Sequence, residues 1–149
     1  GEILDFHGRI VGHHRGALWY TIGQRKGLGI GLGRRVYVLS VDARANTITV
    51  GERGHWRHNG FFIEHLNYMK SGSLSGPMSA RVKVRYRQDA EHAVIHPDGE
   101  NGARVEYRGI CAPGQLAVFY DEHDAVLCAG TIDRLLDMGL ELTPGSGPA

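Results

Sequence analysis

Along this chain, apolar and polar positions alternate in short runs separated by turn residues, and a 3.6-residue helical period is hard to find. Arg9-Ile10-Val11 opens the series, and Val36-Tyr37-Val38-Leu39-Ser40-Val41 follows. The turn Asp42-Ala43-Arg44-Ala45-Asn46 leads into Thr47-Ile48-Thr49-Val50, which reads as the return strand of a hairpin. Phe61 to Leu66 is another strand. Ser71-Gly72-Ser73-Leu74-Ser75-Gly76-Pro77 then interrupts the pattern with linker chemistry and predicts a module boundary. Beyond it, Arg81 to Arg87 alternates cleanly. Ala93-Val94-Ile95 runs into the turn cluster Pro97 to Gly102 and returns through Arg104 to Tyr107. Gln115 to Tyr120 and Ala125 to Ile132 form a further hairpin around Asp121-Glu122-His123-Asp124. The one helical candidate lies near Asp133 to Met138, and Thr143 to Ala149 reads as a frayed tail. Strands at roughly ten-residue spacing predict an all-β chain. The expected layout is a small β module at 1–68, a linker at 69–77, a six-stranded-type β-barrel at 78–133 and a tail at 134–149.

Composition narrows the class. Hydrophobic residues make up 42% of the 149, enough for a core, which excludes wholesale disorder. No apolar run reaches the roughly 20 residues of a membrane span, and the start Gly1-Glu2-Ile3-Leu4-Asp5 has no signal-peptide character. Cys111 and Cys128 lack C-x-x-C spacing and cannot staple a fold, so a soluble, cytoplasmic protein is expected, with both thiols packed as small apolar side chains. The net charge of +1 hides an asymmetry. Residues 1–60 carry nine Lys and Arg against four Asp and Glu, whereas residues 111–149 carry one against six. Fourteen of the 17 cations are Arg, whose planar fork suits phosphate, so the basic front half points toward a polyanionic partner or a solvated charged face.

Two segments could carry chemistry. In Thr21-Ile22-Gly23-Gln24-Arg25-Lys26-Gly27-Leu28-Gly29-Ile30-Gly31-Leu32-Gly33, glycine at every second position from Gly27 onward leaves one face without side chains. A backbone, a nucleotide or a partner could approach closely there, with Gln24, Arg25 and Lys26 at the entrance to hold phosphates. The run is neither a Walker loop nor a G-x-G-x-x-G fingerprint, and a solvent-facing glycine hairpin is the competing interpretation. In the second segment, an extended Arg81 to Gln88 would place Arg81, Lys83, Arg85 and Arg87 on one face and Val82, Val84 and Tyr86 on the other. Same-face neighbours would then lie about 6.6 Å apart, close to the phosphate spacing of an extended single strand. A charged barrel face protected from edge pairing is the alternative. The nine histidines, among them His13-His14, His55 with His58 and His92 with His96, show no four-ligand spacing, so no metal is expected. No nucleophile motif or acid pair stands out.

Tyr20-Thr21-Ile22-Gly23-Gln24-Arg25-Lys26-Gly27-Leu28-Gly29-Ile30 resembles the tRNA-specific 2-thiouridylase family, which puts sulfur on the wobble uridine of certain tRNAs. The likeness continues in order through Gly12-His13-His14-Arg15-Gly16, Val36-Tyr37-Val38 to Asp42, Asn46, Val50-Gly51, Val84-Arg85-Tyr86-Arg87-Gln88 and Pro113-Gly114-Gln115-Leu116-Ala117-Val118-Phe119-Tyr120. It covers roughly residues 3–132, the rear of such an enzyme. The family's front domain is an ATP-binding PP-loop domain marked by Ser-Gly-Gly-x-Asp-Ser-Ser, and the family uses two cysteines, one in that domain and one in a Gly-x-Cys-Phe-type loop. None of these motifs occurs in this sequence. Cys111 stands where the family usually has a branched apolar residue and Cys128 where it has a glycine, so neither inherits a catalytic role.

The resemblance therefore implies the tRNA-contacting rear portion of a wobble-uridine 2-thiouridylase, without catalytic residues or a cofactor of its own. ATP would belong to the missing PP-loop catalytic domain. The implied partners are tRNA, that domain and, through the intact enzyme, a persulfide sulfur donor. The expected RNA contacts are Gln24, Arg25, Lys26, Arg85, Arg87 and Gln88, with Gly27, Gly29 and Gly31 permitting close approach. The alternatives are a stand-alone RNA- or protein-binding β module with no thiolation role and a purely structural barrel.

Overall fold

The structure is a computed structural model that describes residues 1–69, 73–86 and 88–137. The chain divides into two compact units, Gly1–Trp56 and Arg57–Ala149. In the first unit, β1 (Glu2–Leu4), β2 (Ile10–His13), β3 (Tyr37–Asp42) and β4 (Thr47–Gly51) form one sheet in the order β2-β1-β4-β3. β3 and β4 are the expected hairpin. Its turn is held by Asp42, whose Oδ1 accepts the Ala45 amide at 3.0 Å, and by Asn46, which takes a positive φ of 55°. β1 was not foreseen. Three residues are too few to show alternation, and β1 is fixed by parallel pairing to β4, a contact between segments more than 40 residues apart that no local pattern encodes. The core comprises Ile3, Ala17, Leu28, Val36, Val38, Ile48 and Val50.

The second unit is a closed antiparallel barrel. β7 (Met78–Lys83), β8 (Glu91–Asp98), β9 (Gly102–Glu106), β5 (His58–Ile63), β11 (Val126–Asp137) and β10 (Leu116–Tyr120) neighbour one another in that order, and pairing of β10 with β11 closes the ring. β6 (Asn67–Tyr68) adds a short outer pairing to β11. Phe61, Ile63, Val82, Ile95, Val105, Phe119 and Ile132 fill the interior, as period-2 strands require. Cys111 and Cys128 are fully buried among them as free thiols. Among the described residues, no helix is long and apolar enough to cross a membrane.

Two expectations need correction. The break between units falls at Trp56/Arg57, not at 69–77. The strand expected at the end of the first module is β5, paired on both sides to barrel strands. The described part of the Ser- and Gly-rich stretch is a connection between β6 and β7. Turn chemistry marks a reversal of the chain, and a reversal inside a barrel reads the same as a linker. The helical candidate is strand up to Asp137, with Met138 outside the described residues. The pairing of β11 with β5 shifts register between Ile132 and Arg134. Ile132 and Leu136 are buried whereas Arg134 between them is exposed, a spacing of four that imitates one helical face.

Candidate nucleic-acid interface

The glycine run is a loop built on the edge of the first unit. Gln24 organises its entrance: its Oε1 accepts the Thr21 amide at 3.1 Å and its Nε2 donates to the Lys26 carbonyl at 2.9 Å. Two backbone bonds, Gly23 N–H to Val38 O at 2.6 Å and Val38 N–H to Gln24 O at 2.9 Å, tie this turn to β3. Leu28 is buried, and Ile30 and Leu32 pack partly against the same core, whereas Gly27, Gly29, Gly31 and Gly33 are exposed. The alternation foreseen in the sequence is therefore real, although the segment is a loop rather than a strand. Gly27 and Gly29 have φ of +76° and +67°, which L side chains rarely adopt. Burying Leu28 contributes about 1.5–3 kcal/mol toward holding the loop in place.

The loop closes over an open depression of about 570 Å³ lined by Arg25, Lys26, Gly29, Gly31, Arg34 and Arg35, among others. No carboxylate among the described residues lines it. All four cations are exposed, and none is engaged in an ion pair or side-chain hydrogen bond with another described residue. Four like charges around a concave surface focus a positive potential there. Arg34 and Arg35 were not among the expected contacts. The signal was present as a second basic pair at the far end of the glycine run, which the loop returns to the first. Gln24 lies at the same entrance, but both ends of its amide hold the turn.

The basic segment of the barrel departs further from expectation. Val82 and Val84 point inward as foreseen, but Tyr86 is 95% exposed rather than sharing their face. β7 ends at Lys83, and the chain then turns, with Gln88 N–H donating to Arg85 O at 3.3 Å and Gln88 Oε1 accepting the Val84 amide at 3.2 Å. The turn breaks the period-2 pattern just before Tyr86. Gln88 Nε2 donates to Glu91 at 2.7 Å and to the Tyr107 hydroxyl at 2.6 Å, so both its donors are spent inside the unit. Arg81 is held by the Asp124 carboxylate and the Asp121 carbonyl. The Lys83 ammonium sits 5.5 Å from the Tyr120 ring centre. Arg85 is half-buried, with Nη2 buried and without a hydrogen-bond partner among the described residues. Burial lowers its pKa, opposed by the neighbouring Tyr107 and Cys111. Arg87 lies outside the described residues. Cys111 is pushed up to about 12 by burial, with Arg85 opposing, and Cys128 to about 11 by burial alone, so neither is a thiolate near neutral pH.

The arrangement thus offers an unpaired cationic cleft in the first unit and one partly buried cation beside an exposed tyrosine in the second. Comparison with known proteins agrees with the division into two units. Residues 1–52 match the tRNA methyl transferase PRC-barrel domain model, and residues 58–132 match the Aminomethyltransferase beta-barrel domain model. The chain is 39% identical over 140 residues to the tRNA-specific 2-thiouridylase MnmA of Symbiobacterium thermophilum, covering 92% of this chain and 36% of that protein. Its counterpart in Moorella thermoacetica is 38% identical over 138 residues, covering 91% of this chain and 38% of the relative. That of Chlorobaculum tepidum is 38% identical over 139 residues, covering 91% and 37%. The chain spans little more than a third of the length of these relatives. On these matches the chain belongs to the tRNA-specific 2-thiouridylase family, of which it carries the central and C-terminal β region.

Proposed function

We propose that this chain is the tRNA-contacting rear portion of a wobble-uridine 2-thiouridylase and is not catalytic by itself. The observation that carries this reading is the depression framed by Arg25, Lys26, Arg34 and Arg35, four exposed cations with no carboxylate of the described residues among them, on a loop whose glycines leave its outer surface bare. Such a surface binds a phosphate backbone by releasing counterions, without reading sequence. The residues that choose the uridine, ATP for its activation and the persulfide sulfur all belong, on this reading, to the PP-loop catalytic domain of the complete cytoplasmic enzyme. This chain supplies attachment and orientation. Burial of both thiols supports leaving them out of sulfur transfer.

The test is tRNA affinity measured across a range of salt. Each phosphate contact contributes about 0.7–0.9 to the slope of log K against log salt. If all four cations contact phosphate, the cleft alone gives a slope near 2.8–3.6. A fourfold rise in salt then weakens binding by about 50- to 150-fold. Arg34→Ala/Arg35→Ala or Arg25→Ala/Lys26→Ala should each lower the slope by about 1.4–1.8 and weaken all tRNAs alike. Two double variants with wild-type slope and affinity would sink the proposal.

A further inference from the structure

The outer surface where β7 meets β10 carries a second depression, of about 420 Å³, separate from the cleft of the first unit. Its lining follows from the pairing register. Val118 lies opposite Lys83, and Tyr120 opposite Arg81, so the outward positions Leu116, Val118 and Tyr120 of β10 run beside Lys83. Past the end of β7, Arg85 and Tyr86 complete the rim. Tyr86 is 95% exposed and Leu116 56% exposed, an unusual amount of open apolar surface for one small patch. Among the described residues no carboxylate lines it, and the two charged groups that do are both cations.

We infer that this depression receives one unpaired nucleotide of the RNA, its base stacked on Tyr86 over the Leu116–Val118 floor and its phosphate held by Lys83 and Arg85. The inference rests on the reading of the chain as an RNA-contacting portion and adds to it a preference for single-stranded elements. The chemistry favours RNA over a protein partner. Aromatic faces flanked by cations suit a base and its phosphate. Any base can stack, so the site would discriminate unpaired from paired nucleotides rather than one base from another.

The experiment compares binding of a short single-stranded oligoribonucleotide with that of a blunt RNA duplex of equal phosphate number. Wild-type chain and variants are tested at several salt concentrations. Tyr86→Ala should weaken single-strand binding by about five- to 150-fold, the range of base–aromatic stacking. It should leave duplex affinity and the salt slope unchanged, because tyrosine carries no charge. Tyr86→Phe should bind as wild type, and Lys83→Ala should lower the slope by about 0.7. Arg34→Ala/Arg35→Ala should lower the slope on both probes and leave the preference intact, so failure of the cleft reading and failure of this one are read separately. Tyr86→Ala with wild-type single-strand affinity overturns the inference. So does a wild-type chain with no measurable single-strand binding at low salt. A Tyr86→Ala chain that keeps RNA binding but loses self-association also overturns it and assigns the patch to a protein contact. Tyr86 is almost wholly in solvent, so its variants fold.

Discussion

Replacing Gly31 by alanine separates a glycine retained for backbone conformation from one retained for a partner. At Gly31 the backbone lies outside the left-handed region, and an added methyl meets no atom within 4 Å. Alanine there should cost nothing in the folded chain. By restricting the unfolded chain it should stabilise the protein by about 0.4–1 kcal/mol. Gly29, two residues away, also faces open space but has φ +67°, so alanine there should cost about 1–2 kcal/mol. The two variants therefore move thermal stability in opposite directions. If an RNA backbone lies against the bare face of the loop, the Gly31 methyl occupies space the ligand needs. Overfilling a close contact costs about 1–3 kcal/mol, a five- to 150-fold loss of affinity. Thermal unfolding and tRNA binding at low salt give both readings. A Gly31→Ala chain at least as stable as wild type that binds tRNA equally well would refute the close-approach argument and leave the glycines as loop formers only.

Other outcomes follow from the same structure. Cys111→Ala and Cys128→Ala, each removing a small buried side chain, should lower stability by roughly 1–2 kcal/mol in denaturant titrations without altering tRNA affinity. Both thiols have raised pKa values in the folded state, so the unfolded chain releases these protons first. Stability from this source is complete below about pH 9 and falls above it, by about 1.4 kcal/mol per thiol at pH 10. The alanine variants should flatten that alkaline decline. Tyr107→Phe removes the hydroxyl that accepts from Gln88 and donates to Glu91, and the partners left in the barrel should cost about 1–3 kcal/mol in chemical unfolding. The chain alone, given unmodified tRNA, ATP and a sulfur donor, should form no 2-thiouridine and hydrolyse no ATP; turnover above background would defeat the partial-enzyme reading.

How much of this was legible depended on the range of the interactions involved. The β3–β4 hairpin and the inward row Val82–Val84 follow from local alternation, and the burial of Cys111 and Cys128 from thiols that have no partner spacing and pack as small apolar side chains. The assignment of β5 to the barrel was not legible, because its partners β9 and β11 lie some 40 and 70 residues downstream. The placement of the residues expected to contact RNA divided along the same line. Arg25 and Lys26 were visible as a basic pair beside glycines. That Arg34 and Arg35 join them depends on how the loop doubles back, and that Gln24 and Gln88 are occupied depends on amides and carboxylates they meet only when folded. Tyr86 was assigned to the inner face because a pattern that holds through Val84 gives no sign of where the strand stops.

The central claim is that tRNA seats on the loop of the first unit. Amide hydrogen exchange with and without saturating tRNA at low salt tests it most directly, since the backbone N–H groups from Arg25 to Arg35 lie outside the strands, where no ladder masks a ligand's effect. The account predicts slowed exchange in peptides covering Gln24 to Val36, lost again in the Arg34→Ala/Arg35→Ala chain. Bound tRNA that leaves those peptides exchanging as in the free protein would contradict it.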